Sequence, residues 1–180
     1  MAYTFTLANQ KGGVGKTTTA VNLSAFLARQ GYRVLLVDGD PQGNATTSLG
    51  IPKQGLRATL YEALLDHLPL DQVIVPTGRA RLDLVPATVQ LAGATVELLA
   101  QEGREQRLEQ VLRPYRDLYD FVCIDAPPSL GLLTVNALVA SQGVLIPLQC
   151  EYLAMEGLAQ LLGTVRRIQE HLNPHLHLIG

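Results

Sequence analysis

Short apolar runs alternate along the chain with longer segments whose apolar residues recur at helical spacing. The short runs predict strands, which cover residues 3–9, 33–38, 73–75, 82–85, 121–125, 144–148 and 176–179. The longer segments predict helices at 16–30, 59–68, 91–100, 104–112, 132–139 and 153–172. Strands that are apolar on both faces and separated by helices are typical of a parallel sheet covered on both sides. We therefore predict an α/β fold in a single domain, a three-layer sandwich whose mostly parallel central sheet is flanked by helices.

Two of the predicted helices carry an apolar stripe that we expect to face the core. The stripe of the first helix consists of Ala20, Leu23, Phe26 and Leu27, and that of the last consists of Leu158, Leu161, Val165, Ile168 and Leu172. Residues 40–55 are rich in Pro, Gly, Asn, Thr and Ser, which indicates a loop. Because this loop follows the second strand, it lies at the edge of the sheet where the strands end.

A glycine-rich turn joins the first predicted strand to the first predicted helix. Glycines let successive backbone N–H groups point toward one anion, and the positive end of the following helix adds to the attraction. The Lys16 ammonium group is suited to the β- and γ-phosphates of a nucleotide, and the Thr17 hydroxyl is suited to Mg²⁺. The predicted phosphate-binding residues are Lys11, Gly12, Gly13, Val14, Gly15, Lys16, Thr17 and Thr18.

This turn departs from the usual phosphate-loop pattern at one position. The usual pattern has a glycine at the place of Gln10, and in this chain Lys11 follows directly. Two of the chain's three lysines, Lys11 and Lys16, lie in this one turn. Such a concentration of ammonium groups between a strand and a helix indicates a phosphate site rather than an incidental glycine turn.

Three aspartates follow predicted strands at the same edge of the sheet. Asp125 ends an apolar run, as does the acid that holds Mg²⁺ directly or through water in P-loop enzymes. Asp38 and Asp40 are two residues apart, so both side chains leave one face if the strand stays extended. Because parallel sheets bind ligands at the carboxyl ends of their strands, we expect these carboxylates to form one site with the glycine-rich turn.

The run from Lys11 to Thr17 resembles the deviant Walker A motif of the ParA/MinD group of P-loop NTPases. Asn9 and Gln10 before it, and residues 37–44 after it, are similar to the ParA/Soj branch of partitioning ATPases. Residues 121–136 and 145–157 resemble the same branch, so the likeness covers nearly the whole chain. It implies one P-loop ATPase domain over residues 1–180, with ATP and Mg²⁺ as ligands and hydrolysis of ATP to ADP and phosphate.

The resemblance also implies which residues are catalytic. Lys11, Lys16 and Asp40 are the expected catalytic residues, and Asp40 is expected to orient or activate the attacking water. Lys11 is expected to reach across an ATP-sandwiched homodimer to the phosphates bound by the partner. Hydrolysis and association are then coupled, because each site is incomplete in one subunit.

The expected magnesium residues are Thr17, Asp38 and Asp125. The resemblance implies that Asp38 supports the coordination shell of the magnesium ion. The loop at 126–129, which contains two prolines, resembles the segment that senses the γ-phosphate.

Further expectations concern partners and location. The resemblance implies a ParB/Spo0J-type partner protein, nonspecific DNA binding, no membrane, and a cytoplasmic, nucleoid-associated location. Family members continue past the position of Gly180 with adenine-recognition residues and a basic surface, so we expect this chain to lack that C-terminal part. The net charge of −2 means that DNA binding needs a local patch or assembly.

The cysteines and histidines add little chemistry. Cys123 and Cys150 lie in apolar runs without zinc spacing, so we expect buried free thiols in a reducing, cytoplasmic setting. His171 and His175 have the spacing of metal ligands on a helix, but Pro174 interrupts the helix between them.

Two other functions remain open at this stage. A membrane-positioned regulator like MinD needs a basic amphipathic anchor near the C-terminus, and the sequence up to Gly180 has none. A nucleotide-binding module without useful turnover fits if the base pocket is incomplete. An iron–sulfur reductase of the same superfamily is disfavoured, because neither cysteine is expected in an exposed loop beside the nucleotide.

Overall fold

The computed structural model describes residues 1–149 and 154–180, with the side chains of 154–156 excepted. Within these residues, seven strands form one sheet. They are β1 (Tyr3–Leu7), β2 (Val34–Asp38), β3 (Val75–Pro76), β4 (Leu82–Val85), β5 (Phe121–Asp125), β6 (Gly143–Leu145) and β7 (His177–Leu178). Their order is β3-β4-β2-β5-β1-β6-β7, and β3 is the strand that runs antiparallel to its neighbour. The predicted α/β architecture with a mostly parallel sheet is confirmed.

Helices connect the strands. They are α1 (Lys16–Arg29), α2 (Asn44–Ser48), α3 (Leu60–Leu65), α4 (Leu91–Glu97), α5 (Arg107–Leu112), α6 (Leu132–Val139) and α7 (Ala154–His171). Short 3₁₀ turns lie at Leu70–Gln72, Leu98–Ala100, Arg104–Gln106 and Arg113–Tyr115. The helices predicted at 91–100 and 104–112 therefore each combine an α-helix with a 3₁₀ turn.

The hydrophobic core has two parts, one on each face of the sheet. In β2, Leu35 and Val37 belong to one cluster of buried residues, whereas Val34 and Leu36 belong to the other. This division follows from the alternation of side chains along a strand. Burial on both faces explains why β2 and β5 are continuously apolar in sequence until each ends in an aspartate.

The prediction of a loop at 40–55 is partly wrong, because residues Asn44–Ser48 form α2. The local composition favours a loop, but the backbone N–H and the hydroxyl of Thr46 both donate to the buried carboxylate of Asp38. This contact supplies a hydrogen-bond acceptor for an N–H group at the start of the helix. An isolated segment of this composition has no such acceptor.

Several predicted strands differ from the observed ones by one or two residues at their ends, and two differ more. The strand predicted at 73–75 is found at Val75–Pro76, after a 3₁₀ turn. The strand predicted at 144–148 is β6, which ends at Leu145, close to Pro147, whose nitrogen has no hydrogen to donate. Leu153, the predicted first residue of the last helix, lies outside the described residues.

Helix α1 agrees with its predicted stripe at Ala20, Leu23 and Leu27, which contact the core, and departs from it at Phe26. The residues buried there include Ala20, Ser24 and Ala28, whereas Phe26 is 58% exposed. Small side chains at every fourth position allow the helix to approach the sheet closely. Helix α7 agrees with its prediction at Leu161, Val165, Ile168 and Leu172, which pack into the core, whereas Leu158 is half-buried.

Candidate active site

The pairing of the three central strands brings the predicted site residues together. Asp125 at the end of β5 is the register partner of Leu7 in β1 and of Asp38 in β2. The glycine-rich turn follows β1, so it lies beside both aspartates at the carboxyl edge of the sheet. Residues that are far apart in sequence therefore meet because three parallel strands end in register.

The turn after β1 has the geometry of an anion site. Gly13 and Gly15 have φ angles of 76° and 94°, a left-handed region that side chains disfavour. Gly15 is the N-cap of α1, and no side chain caps the helix there. The first N–H groups of α1 and the positive end of its dipole therefore face the edge of the sheet, where an anion is stabilised.

Lys16 spans this turn from the first position of α1. Its side chain is buried, and its ammonium group donates to the carbonyl oxygen of Lys11 at 3.1 Å. Burial lowers the Lys16 pKa, whereas the carboxylates of Asp125 and Asp40 raise it. The backbone N–H of Lys11 donates to the Asn9 side chain at 3.0 Å, which fixes the start of the turn.

An open cleft of about 490 Å³ lies over the turn. The residues that line it come from the glycine-rich turn, the segment after β2, helix α2 and the loop after β5. They are Gly12, Gly13, Gly15, Lys16, Thr17, Thr18, Asp40, Gln42, Asn44, Thr47, Ser48 and Pro128.

Asp125 is fully buried beneath this cleft. Neither of its carboxylate oxygens accepts a hydrogen bond from a described residue. Burial raises the Asp125 pKa to about 7, whereas the nearby Thr17 hydroxyl and Lys16 ammonium group lower it. A buried carboxylate without donors is costly, and it becomes favourable when a cation binds beside it.

The donor types at this point fit Mg²⁺, which prefers hard oxygen ligands. The Asp125 carboxylate and the Thr17 hydroxyl supply two oxygens near each other. Among the described residues, no three acidic, histidine or cysteine side chains form a cage for a metal. That matches Mg²⁺ sites in which nucleotide phosphates and water complete the coordination.

Asp38 is also fully buried, but its carboxylate is hydrogen-bonded on both oxygens. Thr46 donates to one oxygen through its N–H at 2.8 Å and through its hydroxyl at 2.6 Å. The N–H of Asp40 donates to the other oxygen at 3.3 Å. Burial raises the Asp38 pKa to about 6, which these hydrogen bonds partly offset.

Asp40 lies beyond the end of β2 and lines the cleft. Asp38 and Asp40 were predicted to leave one strand face if the strand stayed extended to Asp40. Because β2 ends at Asp38, the two carboxylates do not share a strand face. The Asp40 side chain accepts a hydrogen bond from the N–H of Gln42 at 2.9 Å. Asp38 and Asp40 therefore have different surroundings, although they are two residues apart.

Two residues of this region were not predicted from sequence. Thr46 holds the Asp38 carboxylate, and nothing in its local sequence distinguishes it from Thr47. Gly39 approaches β5 so closely that its N–H donates to the carbonyl oxygen of Asp125 at 2.9 Å, and an added Cβ would lie 2.9 Å from that oxygen. The signal for Gly39 is its place between two acids at a strand end.

The loop at 126–129 packs against β1 and the start of α6. The N–H of Ala126 donates to Leu7 at 3.1 Å, and the Thr134 hydroxyl donates to the carbonyl oxygen of Ser129 at 2.6 Å. Pro128 faces the cleft. This loop therefore connects the cleft to helix α6, as a segment that senses the γ-phosphate must. The sensor role itself stays a prediction.

The remaining predicted features are simpler. Cys123 is a buried free thiol, as predicted, whereas Cys150 lies outside the described residues. His171 and His175 are exposed on either side of the helix end. Among the helices that the structure describes, none combines the length and apolar character needed to cross a bilayer.

Comparison with known sequences gives consistent matches over the whole chain. A family model described as an AAA domain matches residues 2–178. Sporulation initiation inhibitor protein Soj from Bacillus subtilis is 56% identical over 174 residues, which are 97% of this chain and 69% of Soj. Chromosome partitioning protein ParA from Myxococcus xanthus is 55% identical over 174 residues, 97% of this chain and 62% of that protein.

Solved structures match equally well. Cobyrinic acid a,c-diamide synthase from Mycobacterium smegmatis, with bound ATP analog and magnesium, has a TM-score of 0.96 and 45% identity, covering 100% of this chain and 73% of that chain. A plasmid partition protein from Borrelia burgdorferi, bound to AMPPNP, has a TM-score of 0.87 and 31% identity, covering 99% and 73%.

Proposed function

Because the chain belongs to the Soj/ParA family of partitioning ATPases, we propose that it binds ATP with Mg²⁺ and hydrolyses it to ADP and phosphate. ATP-bound molecules form a sandwich dimer that binds DNA nonspecifically and acts with a ParB-type partner in chromosome or plasmid segregation. One observation carries the proposal: an uncapped helix start with Lys16 and Thr17 lies beside the buried Asp125 carboxylate, which has no donor among the described residues.

The phosphates are held by the backbone of the turn and by Lys16. The N–H groups at the start of α1 supply several donors to one anion, and the ammonium group adds a full charge. Thr17 and Asp125 are the residues that hold Mg²⁺, and the bound ion neutralises charge on the phosphate oxygens. The low dielectric around Asp125 and Lys16 strengthens each of these attractions.

Hydrolysis then depends mainly on position and charge, because phosphoryl transfer needs little covalent chemistry from the protein. Asp40 is the carboxylate that lines the cleft, and the Gln42 N–H holds its side chain. In the proposed reaction Asp40 orients the attacking water and accepts its proton. Lys16 stabilises the charge that develops on the phosphate oxygens.

The dimer is supported by the open surface of the turn. A Cβ added at Gly12 or Gly13 would meet no atom of a described residue within 4 Å. The two glycines therefore leave room for a second backbone to approach the phosphates. Lys11, beside them, is the residue that we propose to reach the partner's nucleotide.

The experiment that tests the site compares Lys16→Ala with Arg29→Ala, which removes a charge at the opposite end of α1. We expect Lys16→Ala to weaken ATP binding about 100-fold, since a charge-assisted contact is lost, and Arg29→Ala to leave it unchanged. Isothermal titration with Mg²⁺ and a non-hydrolysable ATP analogue measures both. Tight binding by Lys16→Ala contradicts the proposed site.

Turnover is tested with Asp40→Ala against Asp117→Ala, whose carboxylate is 86% exposed. Asp40→Ala should bind ATP normally but release phosphate at least about 100-fold more slowly, because the water is no longer oriented. Asp117→Ala should turn over like the unmodified protein. Absence of ATPase activity in the unmodified chain, with normal ATP binding, would favour the nucleotide-binding module instead.

A further inference from the structure

We infer that Asp38 is a positioning residue that fixes the segment carrying Asp40, and that it is not a ligand of the magnesium ion. This rests on the proposed ATPase function. The observation behind it is a contrast between two buried carboxylates at the same edge of the sheet: both oxygens of Asp38 are hydrogen-bonded, and neither oxygen of Asp125 is.

The hydrogen bonds of Asp38 lead away from the phosphates. One oxygen accepts both donors of Thr46, at 2.8 Å and 2.6 Å, and the other accepts the Asp40 N–H. Asp38 does not line the cleft, whereas Asp40 does. The three donors take three of the roughly four lone-pair sites of the Asp38 carboxylate, and the two bonds from Thr46 fix its orientation toward α2, so Asp38 is less available to a metal ion than Asp125.

Helix α2 depends on Asp38 for its start. Its N-cap is Gly43, which has no side chain, so no residue of the helix's own segment caps it. Thr46 is the third residue of α2, and its N–H is one of the donors left unpaired at a helix start. The Asp38 carboxylate takes the place of a capping side chain, and its negative charge lies at the positive end of the helix.

The same network continues to the neighbouring strand. The Thr46 hydroxyl accepts a hydrogen bond from the N–H of Ala87 at 3.1 Å, just after β4. On the other side, Gly39 is bonded to the carbonyl oxygen of Asp125. The segment from Gly39 to Thr46 is therefore attached to β2, β4 and β5, and Asp40 is held near its start.

This arrangement gives Asp38 a measurable effect on catalysis through Thr46. A displacement of about 1 Å in an orienting group costs about 100-fold in rate, so the position of Asp40 must be maintained. Loss of the Thr46 hydroxyl removes one of the two hydrogen bonds to that Asp38 oxygen and the acceptor of the Ala87 N–H, without touching Lys16, Thr17 or the phosphates. A positioning role therefore predicts that changes at Asp38 and Thr46 have the same consequences.

The test uses Asp38→Asn, Thr46→Val, Thr46→Ser and the double variant Asp38→Asn/Thr46→Val. We expect Asp38→Asn and Thr46→Val each to lower kcat at least about 10-fold, with KM for ATP within about twofold. Thr46→Ser, which keeps the hydroxyl, should restore most of the activity. The double variant should be no slower than the worse single variant, because both remove one interaction.

Metal binding is measured independently of turnover. Electron paramagnetic resonance gives the Mn²⁺ affinity of each variant in the presence of a non-hydrolysable ATP analogue. A positioning role predicts Mn²⁺ affinity within about twofold of the unmodified protein for both single variants, whereas loss of a metal ligand would weaken it at least about 10-fold. Asp125→Asn serves as the variant that should weaken Mn²⁺ binding.

The outcomes separate this inference from the proposed function. Weakened Mn²⁺ binding by Asp38→Asn, or unchanged kcat in Thr46→Val, overturns the inference while ATP turnover by the unmodified chain still stands. Full activity in Asp40→Ala removes Asp40 from the proposed mechanism, and absence of ATPase activity in the unmodified chain overturns the proposed function. If Thr46→Val does not fold, the Mn²⁺ affinity of Asp38→Asn decides the question alone.

Discussion

At the residue scale, the main feature is that Asp38 and Asp125 are equally buried but differ in their hydrogen bonds. Asp38 accepts three donors, and Asp125 accepts none from the described residues. The pKa of each is raised by burial, to about 6 for Asp38 and to about 7 for Asp125. The fully bonded carboxylate maintains the fold around the site, and the carboxylate without donors is available to a cation.

The raised Asp125 pKa predicts how stability depends on pH. Between pH 3.8, the ordinary pKa of this carboxyl group, and about pH 7, its pKa in the folded protein, the folded state binds a proton that the unfolded state has lost. The folded protein is therefore favoured at low pH, and this advantage disappears as pH rises through 7. Asp125→Asn lacks the penalty, so we expect it to be the more stable form above pH 7, by up to about 4 kcal/mol.

Urea unfolding of the ligand-free protein at pH 5 and at pH 8 measures this difference. Asp117→Asn, at an exposed position, keeps Asp125 and should therefore show the same pH dependence as the unmodified protein. A variant Asp125→Asn that is less stable than the unmodified protein at pH 8 would show that the carboxylate has a partner of its own.

Sequence predicts the residues of the glycine-rich turn well because their chemistry is local. Gly15, Lys16 and Thr17 are consecutive, and their directions follow from one turn and one helix start. The partner of Asp38 is not predictable in this way, since Thr46 reaches it through the path of a loop. Two threonines stand side by side at 46 and 47, and only the folded chain shows which one is buried against the aspartate.

At the element scale, α1 shows that apolar spacing locates the buried side of a helix but not the centre of its contact. A helix that packs closely on a sheet needs small residues at the contact, as at Ala20, Ser24 and Ala28. Larger apolar residues on the same helix, such as Phe26, are then left outside. Helix α7 was easier to predict because large aliphatic side chains form its buried face.

The packing of α1 can be tested with one change on each face. Ala20→Leu inserts a larger side chain where the helix contacts the sheet, and we expect it to cost about 1–3 kcal/mol. Phe26→Gln, at an exposed position, should change the free energy of unfolding by no more than about 0.5 kcal/mol. Urea unfolding followed by circular dichroism measures both, and a reversed order would mean that the helix is rotated.

The lengths of strands were also only partly predictable. The pattern of apolar residues identifies the central strands β2 and β5 correctly, because both faces of each are buried. It overestimates β6, where proline at 147 limits the hydrogen-bond ladder. It misses α2, whose stability depends on a carboxylate from another element rather than on its own composition.

At the scale of the whole molecule, the glycine-rich turn lies at the centre of the edge where strands end. Strand β1, which precedes it, is flanked by β5 and β6. The Gln149 side chain, after β6, donates to the carbonyl oxygen of Gly13 at 3.4 Å. Support from both sides keeps the turn in place, and no atom of the part of the chain that the structure describes crowds Gly12 or Gly13.

That open surface predicts a role for Lys11 in association. In an Asp40→Ala background, which prevents turnover, we expect the chain to double its mass when ATP and Mg²⁺ are added. Adding Lys11→Ala should reduce dimer formation at least about 10-fold while ATP still binds, because a contact to the partner's phosphates is lost. Light scattering after gel filtration measures the mass, with Arg29→Ala as control, and an undiminished dimer would exclude action in trans.

The register of β2 against β5 also affects how the protein assembles. Asp38 and Asp125 are adjacent only when these strands pair in the observed alignment, and a slip of one residue would turn every side chain of a strand to the opposite face. A misaligned molecule could keep its helices and still have no nucleotide pocket. A ligand stabilises only the state that binds it. We therefore expect ATP, when present during synthesis, to raise the population of correctly aligned molecules relative to compact but inactive ones.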